Sequence, residues 1–139
     1  LLNAGSGFRI TGDLDGDFSD NISGGNSGHG VFVGGNVGGT LTGNIASINN
    51  LNGIHAITVS GSVADNTASG NLGHGMFVSG AVSGDLFDNS ASDNGGSGID
   101  VGGVSGNVAN NLMSGNTLHG LFVFGGVTGS VVDNSATDN

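Results

Sequence analysis

The sequence has no cysteine, proline, tryptophan or tyrosine, and Arg9 is its single Lys or Arg residue. Without cysteine no disulfide can form, so cysteine usage does not indicate a redox compartment. Eleven acidic residues, all of them Asp, give a formal net charge of −10. Nucleic acid is therefore a disfavoured partner, because phosphate binding needs clustered Lys or Arg. No apolar run is long enough to cross a bilayer, so we expect no membrane insertion by this segment.

Glycine is abundant instead, at 31 of 139 residues. Disordered chains can have such a content, but here the hydrophobic residues reach 35% and recur with strict regularity. The acidic, lysine-free composition suits an exposed chain, and we expect an extracellular or cell-surface location. The chain begins with LLNAGSG, without an initiator Met or a signal peptide. We interpret residues 1–139 as one continuous segment excised from a longer repeat array.

A repeat of 22 to 23 residues runs through the whole chain. Its most regular marks are two asparagine series, five residues apart in each repeat. The first series is Asn21, Asn44, Asn66, Asn89, Asn111 and Asn134. The second series is Asn26, Asn49, Asn71, Asn94, Asn116 and Asn139, with Asn3 as its forerunner. Because stacked repeats place identical residues above one another, we predict that both series form ladders of side-chain amide hydrogen bonds at bends.

Short stretches of period-two alternation predict strands within each repeat. One follows a recurring glycine, as in Met76 and Val78 after Gly75. A second is centred near the recurring glycine of Gly84, and a third, short one lies around Ala46, Ala68, Ala91 and Ala136. The predicted fold is an all-β, single-stranded parallel β-helix of about six coils. The alternation of 22 and 23 residues predicts an axial repeat of two coils, about 9.6 Å.

The repeats resemble those of right-handed parallel β-helix proteins, which read roughly N-x-A-x-x-N-x-x-x-G-I-x-V. Here the pattern appears as NTASGNLGHGMFV from Asn66 and as NSASDNGGSGIDV from Asn89. The resemblance implies right-handed coiling, and its character is closest to bacterial surface adhesins and autotransporter passengers. Polysaccharide lyases, glycosidases and phage tailspikes share this fold, so the fold alone does not identify a function.

Carboxylates at matching positions of neighbouring coils are the candidates for catalysis. Asp65 and Asp88 would lie about 5 Å apart, near the separation in retaining glycosidases, with Asp85 close by. However, Asp20 and Asp133 occupy the same position in their own repeats, directly before an asparagine of the first series. A repeated Asp-Asn pair is more simply a turn element, so we predict no catalytic residues and no enzyme, with a polysaccharide-degrading fragment as the alternative.

Asp13, Asp15 and Asp17 are a weak calcium candidate. In the string DLDGDFSDN they would share the outer face of a strand, and calcium prefers such oxygen clusters. An EF-hand loop needs glycine at its sixth position and a distal Glu. Here glycine comes fourth and Glu is absent, so a solvated acidic stripe is favoured and no cofactor is required.

Histidine and phenylalanine recur together every 45 residues, as His29 and Phe32, His74 and Phe77, and His119 and Phe122. Successive histidines would be about 9.6 Å apart, which is too far for one zinc ion with ligands at about 2.1 Å. Each Phe lies between inward residues and should point outward, with Arg9, His55 and Asp100 at the intervening positions. Leu118 and Phe124 extend this surface at one end.

These six His and Phe residues are the predicted lateral contact surface. We favour packing over glycan stacking, because the usual sugar platforms Tyr and Trp are missing. The predicted function is a structural or adhesive segment of an extracellular filament, stalk or surface protein that associates laterally or end to end. A glycan-binding or calcium-binding module is the third hypothesis for the function.

Overall fold

The computed structural model describes residues 3–139, and within that range every regular element is a strand. Each coil contributes one strand to each of three parallel six-stranded sheets. Sheet 1 contains Phe8–Ile10, Val31–Val37, Ile54–Val59, Met76–Val82, Ile99–Val104 and Leu121–Val123. Sheet 2 contains Phe18–Ser19, Leu41–Thr42, Val63–Ala64, Leu86–Phe87, Val108–Ala109 and Val131–Val132. Sheet 3 contains Ile22–Gly24, Ile45–Ser47, Thr67–Ser69, Ser90–Ser92, Leu112–Ser114 and Ser135–Thr137. The predicted β-solenoid of about six coils is confirmed.

The core is a narrow column of apolar side chains enclosed by the three sheets. Side chains alternate in direction along each strand. Val31 and Val33 therefore point inward and have no exposed surface, while Phe32 between them points outward. Sheet 2 contributes large side chains such as Leu41 and Leu86. Sheet 3 contributes Ala46, Ala68 and Ala91, or Met113 in one coil. The alanines lie against the beginning of the sheet 1 strands, since a Cβ atom on Gly30 would be 3.1 Å from Cβ of Ala46.

The alternation between 22 and 23 residues is absorbed in sheet 1. Val78 pairs with Val101, but Val104 is three positions after Val101 whereas Val82 is four positions after Val78. A register shift between Val78 and Val82 accommodates the extra residue, and each neighbouring pair of long strands repeats it. The two-coil unit therefore originates in the second half of this sheet.

Each coil bends at two corners where one residue adopts a left-handed conformation immediately before an asparagine of a series. The first corner uses Asp20, Gly43, Asp65, Asp88, Asn110 and Asp133. The second corner uses Gly25, Ile48, Gly70, Asp93, Gly115 and Asp138. Gly, Asn and Asp tolerate positive φ, whereas a β-branched residue there is strained. Ile48, with φ of 57°, is the exception among these corners.

Glycine is also required where each strand of sheet 1 begins, because coils approach closely there. A Cβ atom on Gly75 would lie 2.5 Å from the carbonyl oxygen of Gly98 and 2.7 Å from Nδ2 of Asn94. Such contacts would force the next coil to move, so the recurring glycine preserves the hydrogen-bonded spacing between coils.

Candidate functional site

The first asparagine series forms a continuous ladder. Asn66, for example, is fully buried, and its Nδ2 donates to Oδ1 of Asn89 at 3.0 Å and to the carbonyl oxygen of Leu41 at 2.8 Å. Its backbone N–H donates to the same Oδ1 at 3.1 Å, and its own Oδ1 accepts from Asn44. The pattern continues from Asn21 to Asn134. Every amide-to-amide bond of the ladder runs towards the last coil, and the second bond of Nδ2 runs to a carbonyl of the preceding coil.

The second series forms a parallel ladder at the other corner. Nδ2 of Asn71 donates to Oδ1 of Asn94 at 3.0 Å and to the carbonyl oxygen of Ala46 at 3.0 Å. This ladder runs from Asn3 to Asn139. Both predicted ladders are therefore present, and they satisfy backbone groups that each corner would otherwise leave unpaired inside the protein.

The carboxylates considered for catalysis lie at corners. Asp65 and Asp88 have φ of 55° and 54°, and both are exposed. Oδ1 of Asp85 accepts the backbone N–H of Asn107 at 2.7 Å. These positions are accounted for by the turn and by the link to the next coil, which agrees with the interpretation of the Asp-Asn pairs as turn elements.

The three aspartates of the calcium candidate do not share one strand face. The segment 11–17 makes only an isolated bridge, between Leu14 and Val37. Asp13 accepts the backbone N–H of Asn36 at 2.7 Å, and Asp17 accepts that of Thr40 at 2.6 Å. The strand expected to carry all three carboxylates is wrong here, and Asp13 and Asp17 instead bind backbone N–H groups of the following coil.

The hydrogen bonds from Thr40 affect the ionisation of Asp17. The backbone N–H of Thr40, and then its hydroxyl, hold the pKa of Asp17 below its usual value, against a small opposing effect of desolvation. In the described part of the chain, no three His, Cys, Asp or Glu side chains are grouped so that they could hold a metal ion.

The outward face of sheet 1 brings the recurring aromatic residues into one line. The sheet register stacks Arg9, Phe32, His55, Phe77, Asp100 and Phe122 on successive coils. Together with His29, His74 and His119 we call these residues the aromatic column. The rings of Phe32 and His55 have centroids 5.1 Å apart, and those of His55 and Phe77 5.0 Å apart. Arg9 lies over the ring of Phe32, with Cζ 4.8 Å from the centroid.

Each histidine of the predicted contact surface stacks on the phenylalanine of its own coil. The centroid distances are 5.4 Å for His29 and Phe32, 5.3 Å for His74 and Phe77, and 5.2 Å for His119 and Phe122. This stacking leaves Phe32 and Phe77 only partly exposed. The most accessible apolar side chains of this face are in the last coil, where Phe122 is 39% and Phe124 83% exposed.

Two histidines of the column also link neighbouring coils. Nδ1 of His29 accepts the backbone N–H of Asn52 at 3.2 Å, and Nδ1 of His74 accepts that of Ser97 at 3.0 Å. Nδ1 therefore carries no proton in either ring. The carboxylate of Asp100 lies 3.7 Å from Nδ1 of His74, too far for a hydrogen bond, so Ser97 is the hydrogen-bond partner of this nitrogen.

His55 belongs to the column but was not among the six residues predicted to form the lateral contact surface. Burial, followed by the charges that His29 and His74 would carry, lowers its pKa to about 4. Its Nδ1 is buried and has no hydrogen-bond partner within the described chain. Burial and then the charge of Arg9 also lower the pKa of His29. The sequence could have identified His55 as part of this surface, because the repeat places it at the same position as Phe32 and Phe77.

A shallow, open depression of about 360 Å³ lies beside the column, between Phe124 and the glycines Gly80 and Gly102. Its lining is apolar, glycine and hydroxyl, without a carboxylate. It therefore offers packing and hydrogen bonding rather than acid-base groups.

As for the bilayer, no helix in residues 3–139 has the length and apolarity needed to cross one.

Comparison with known proteins agrees with this geometry. Neither the curated proteins nor the solved structures gave a match. The family model described as "Right handed beta helix region" matches residues 2–137, which is nearly the whole chain. With its three parallel sheets and two asparagine ladders, the chain belongs to the right-handed β-helix family.

Proposed function

We propose that this chain is a structural segment of an extracellular fibre, stalk or surface protein, and that it associates laterally through the outer face of sheet 1. The observation that carries the proposal is the aromatic column, which runs over six coils and leads to the exposed rings of Phe122 and Phe124. Aligned rings with exposed apolar surface on the outer face of a sheet are typical of a contact surface.

The mechanical part of the proposal depends on continuity along the rod. Backbone bonds such as Val31 N–H to the oxygen of Gly53 at 2.8 Å join each coil to the next. The two ladders add side-chain bonds in the same direction at both corners. A load along or across the rod is therefore shared among many parallel hydrogen bonds, which suits a spacer or fibre element.

The lateral part depends on what the column leaves exposed. Burying an exposed ring contributes about 25 cal/mol per Å² of apolar surface removed from water. Rings already held by stacking, such as Phe77 on His74, lose little side-chain freedom when a partner covers them. The shallow, glycine-lined depression beside Phe124 permits close approach of a second rod.

Glycan binding is the second candidate, because an apolar ring beside a hydroxyl-lined depression is also a common sugar platform. Phe lacks the polar atom through which Tyr or Trp would hydrogen-bond a sugar, and packing is therefore favoured. Hydrolysis is the least supported candidate, since Asp65 and Asp88 occupy turn positions that recur along the rod.

The test is sedimentation velocity over a wide concentration range, comparing the wild type with the double variant Phe122→Ser, Phe124→Ser. We expect a concentration-dependent oligomer in the wild type and at least tenfold weaker association in the variant. Leu112→Ser is the control, because Leu112 is an exposed apolar residue on sheet 3. Unchanged association in the double variant would exclude the aromatic face as the contact. Glycan turnover abolished by Asp88→Asn would replace the proposal with an enzymatic one.

A further inference from the structure

A second exposed apolar surface lies around the second corner, away from the aromatic column. Ile45, Ile48 and Leu51 follow one another at three-residue spacing in one coil. Ile22 pairs with Ile45 on the preceding coil, and Leu72 follows on the next one, with its N–H bonded to the oxygen of Asn49. All five side chains are exposed, and we call them the aliphatic patch.

Ile48 is the unusual member of the patch. It is 72% exposed, and its φ of 57° places a β-branched residue in the left-handed region. The other described residues at this corner are Gly25, Gly70, Asp93, Gly115 and Asp138, all of which tolerate that conformation better. The chain therefore holds a strained, solvent-facing isoleucine for which its own fold supplies no packing reason. Strain of this kind at an exposed site indicates a functional contact.

The distribution of charge identifies what could cover the patch. Residues 21–64, which include four of the five patch residues, contain no Asp, Glu, Lys or Arg, although the whole chain has a net charge of −10. A partner with charged groups opposite the patch would have to desolvate them without any counter-charge, which is costly. The complementary surface is therefore also uncharged and aliphatic. The chain presents such a surface itself, and repulsion between two acidic chains is smallest where both are uncharged.

We infer that the aliphatic patch is a second, self-complementary interface, at which Ile48 of one copy packs against the same patch of another copy. A two-fold axis through the patch brings identical residues together, as in most homodimers. The inference rests on the proposed structural role but concerns a different face. A rod with contacts on the outer face of sheet 1 and at the second corner can join two neighbours, so lateral association extends beyond pairs.

The test compares Ile48→Asp with Leu112→Asp by sedimentation velocity of the whole chain. Asp93 occupies the corner position of Ile48 two coils later, so Ile48→Asp fits the backbone and should melt no lower than the wild type. Leu112 occupies the register position of Ile45 three coils away and is a matched exposed control. We expect Ile48→Asp to reduce the population of species larger than a pair at least tenfold, because pairing through the aromatic face remains, and Leu112→Asp to leave that population within twofold of the wild type.

The outcomes separate this inference from the proposed function. If Ile48→Asp associates like the wild type while Phe122→Ser, Phe124→Ser does not, the patch interface is wrong and the aromatic contact stands. If only Ile48→Asp loses association, the patch is the interface and the aromatic contact is wrong. A wild type that remains monomeric at millimolar concentration overturns both, and the patch would then belong to a contact with a different chain.

Discussion

Single asparagine residues stabilise this protein through their place in a ladder. The amide of Asn66 meets a backbone carbonyl, a backbone N–H and two neighbouring amides, all in the buried interior. Removing it would leave several polar groups without partners. An unpaired buried polar group costs about 1–3 kcal/mol, whereas a satisfied hydrogen bond contributes only about 1 kcal/mol. The ladders thus make each corner specific for asparagine.

We expect Asn66→Ala to lower the free energy of unfolding by at least about 3 kcal/mol, because it leaves the backbone N–H of Asn44 without a partner and removes the bonds to the Leu41 carbonyl and to two neighbouring amides. Urea denaturation followed by circular dichroism measures the change. Asn50→Ala is the control, since Asn50 is exposed next to the second ladder and should change stability by about 0.5 kcal/mol or less. Equal effects of the two substitutions would contradict a ladder contribution.

At the scale of the element, sheet 1 differs from the other two sheets in depending on histidines. The rings of His29 and His74 accept backbone N–H groups from the next coil only while Nδ1 is deprotonated. His55 lies between the Phe32 and Phe77 rings, where its charged form is disfavoured. The folded aromatic column therefore favours the neutral form of His55.

This dependence predicts acid sensitivity above the titration range of the carboxylates. In the unfolded chain a histidine has a pKa of about 6.5. In the folded chain burial and then the neighbouring histidines lower the pKa of His55 to about 4, so the unfolded state binds more protons between these values. The stability associated with neutral His55 is complete above about pH 6.5 and decreases as the pH falls towards 4.

We expect the melting temperature of the wild type to fall between pH 7 and pH 4.5, and His55→Phe to reduce that slope. Phe fits this position because Phe32 and Phe77 occupy it on the adjacent coils. Calorimetry at several pH values gives both slopes, and measurements from pH 7.5 to 9 give the baseline at which His55 is neutral in both states. Parallel slopes for the two proteins would show that His55 does not carry the effect.

The whole molecule is a thin, strongly acidic rod with apolar contact surfaces. Ten net negative charges on 139 residues oppose association of identical copies at low ionic strength. The Debye length falls from about 30 Å at 0.01 M salt to about 10 Å at 0.1 M. Screening should therefore favour contact between apolar faces.

We expect self-association to strengthen when sodium chloride is raised from about 0.01 M to about 0.15 M, because the contacts are apolar and the repulsion is electrostatic. Light scattering or sedimentation equilibrium measures the association constant at each salt concentration. Weaker association at higher salt would indicate instead that opposite charges, for which Arg9 is the available Lys or Arg cation, hold the copies together.

Much of this architecture could be predicted because a stacked repeat converts sequence period directly into position in space. The phase of the asparagine series located both ladders, and alternation located the inward residues of sheet 1, such as Met76 and Val78. The continuous strand expected around Asp15 was wrong, because the next coil bonds to this segment out of strand register. The consecutive N–H groups of Gly38 and Gly39 donate to the carbonyls of Leu14 and Gly16, and only an isolated bridge results.

The sequence by itself determined the coil length, the asparagine corners and the identity of the core residues, since these depend on period and on side-chain polarity. Only the tertiary structure decided where the extra residue of the longer coils is absorbed, how His74 lies on Phe77, and that Ile48 adopts positive φ. Those features depend on how neighbouring coils constrain the backbone and rings. Register between coils, rather than local preference, therefore determines which side chains the rod presents to a partner.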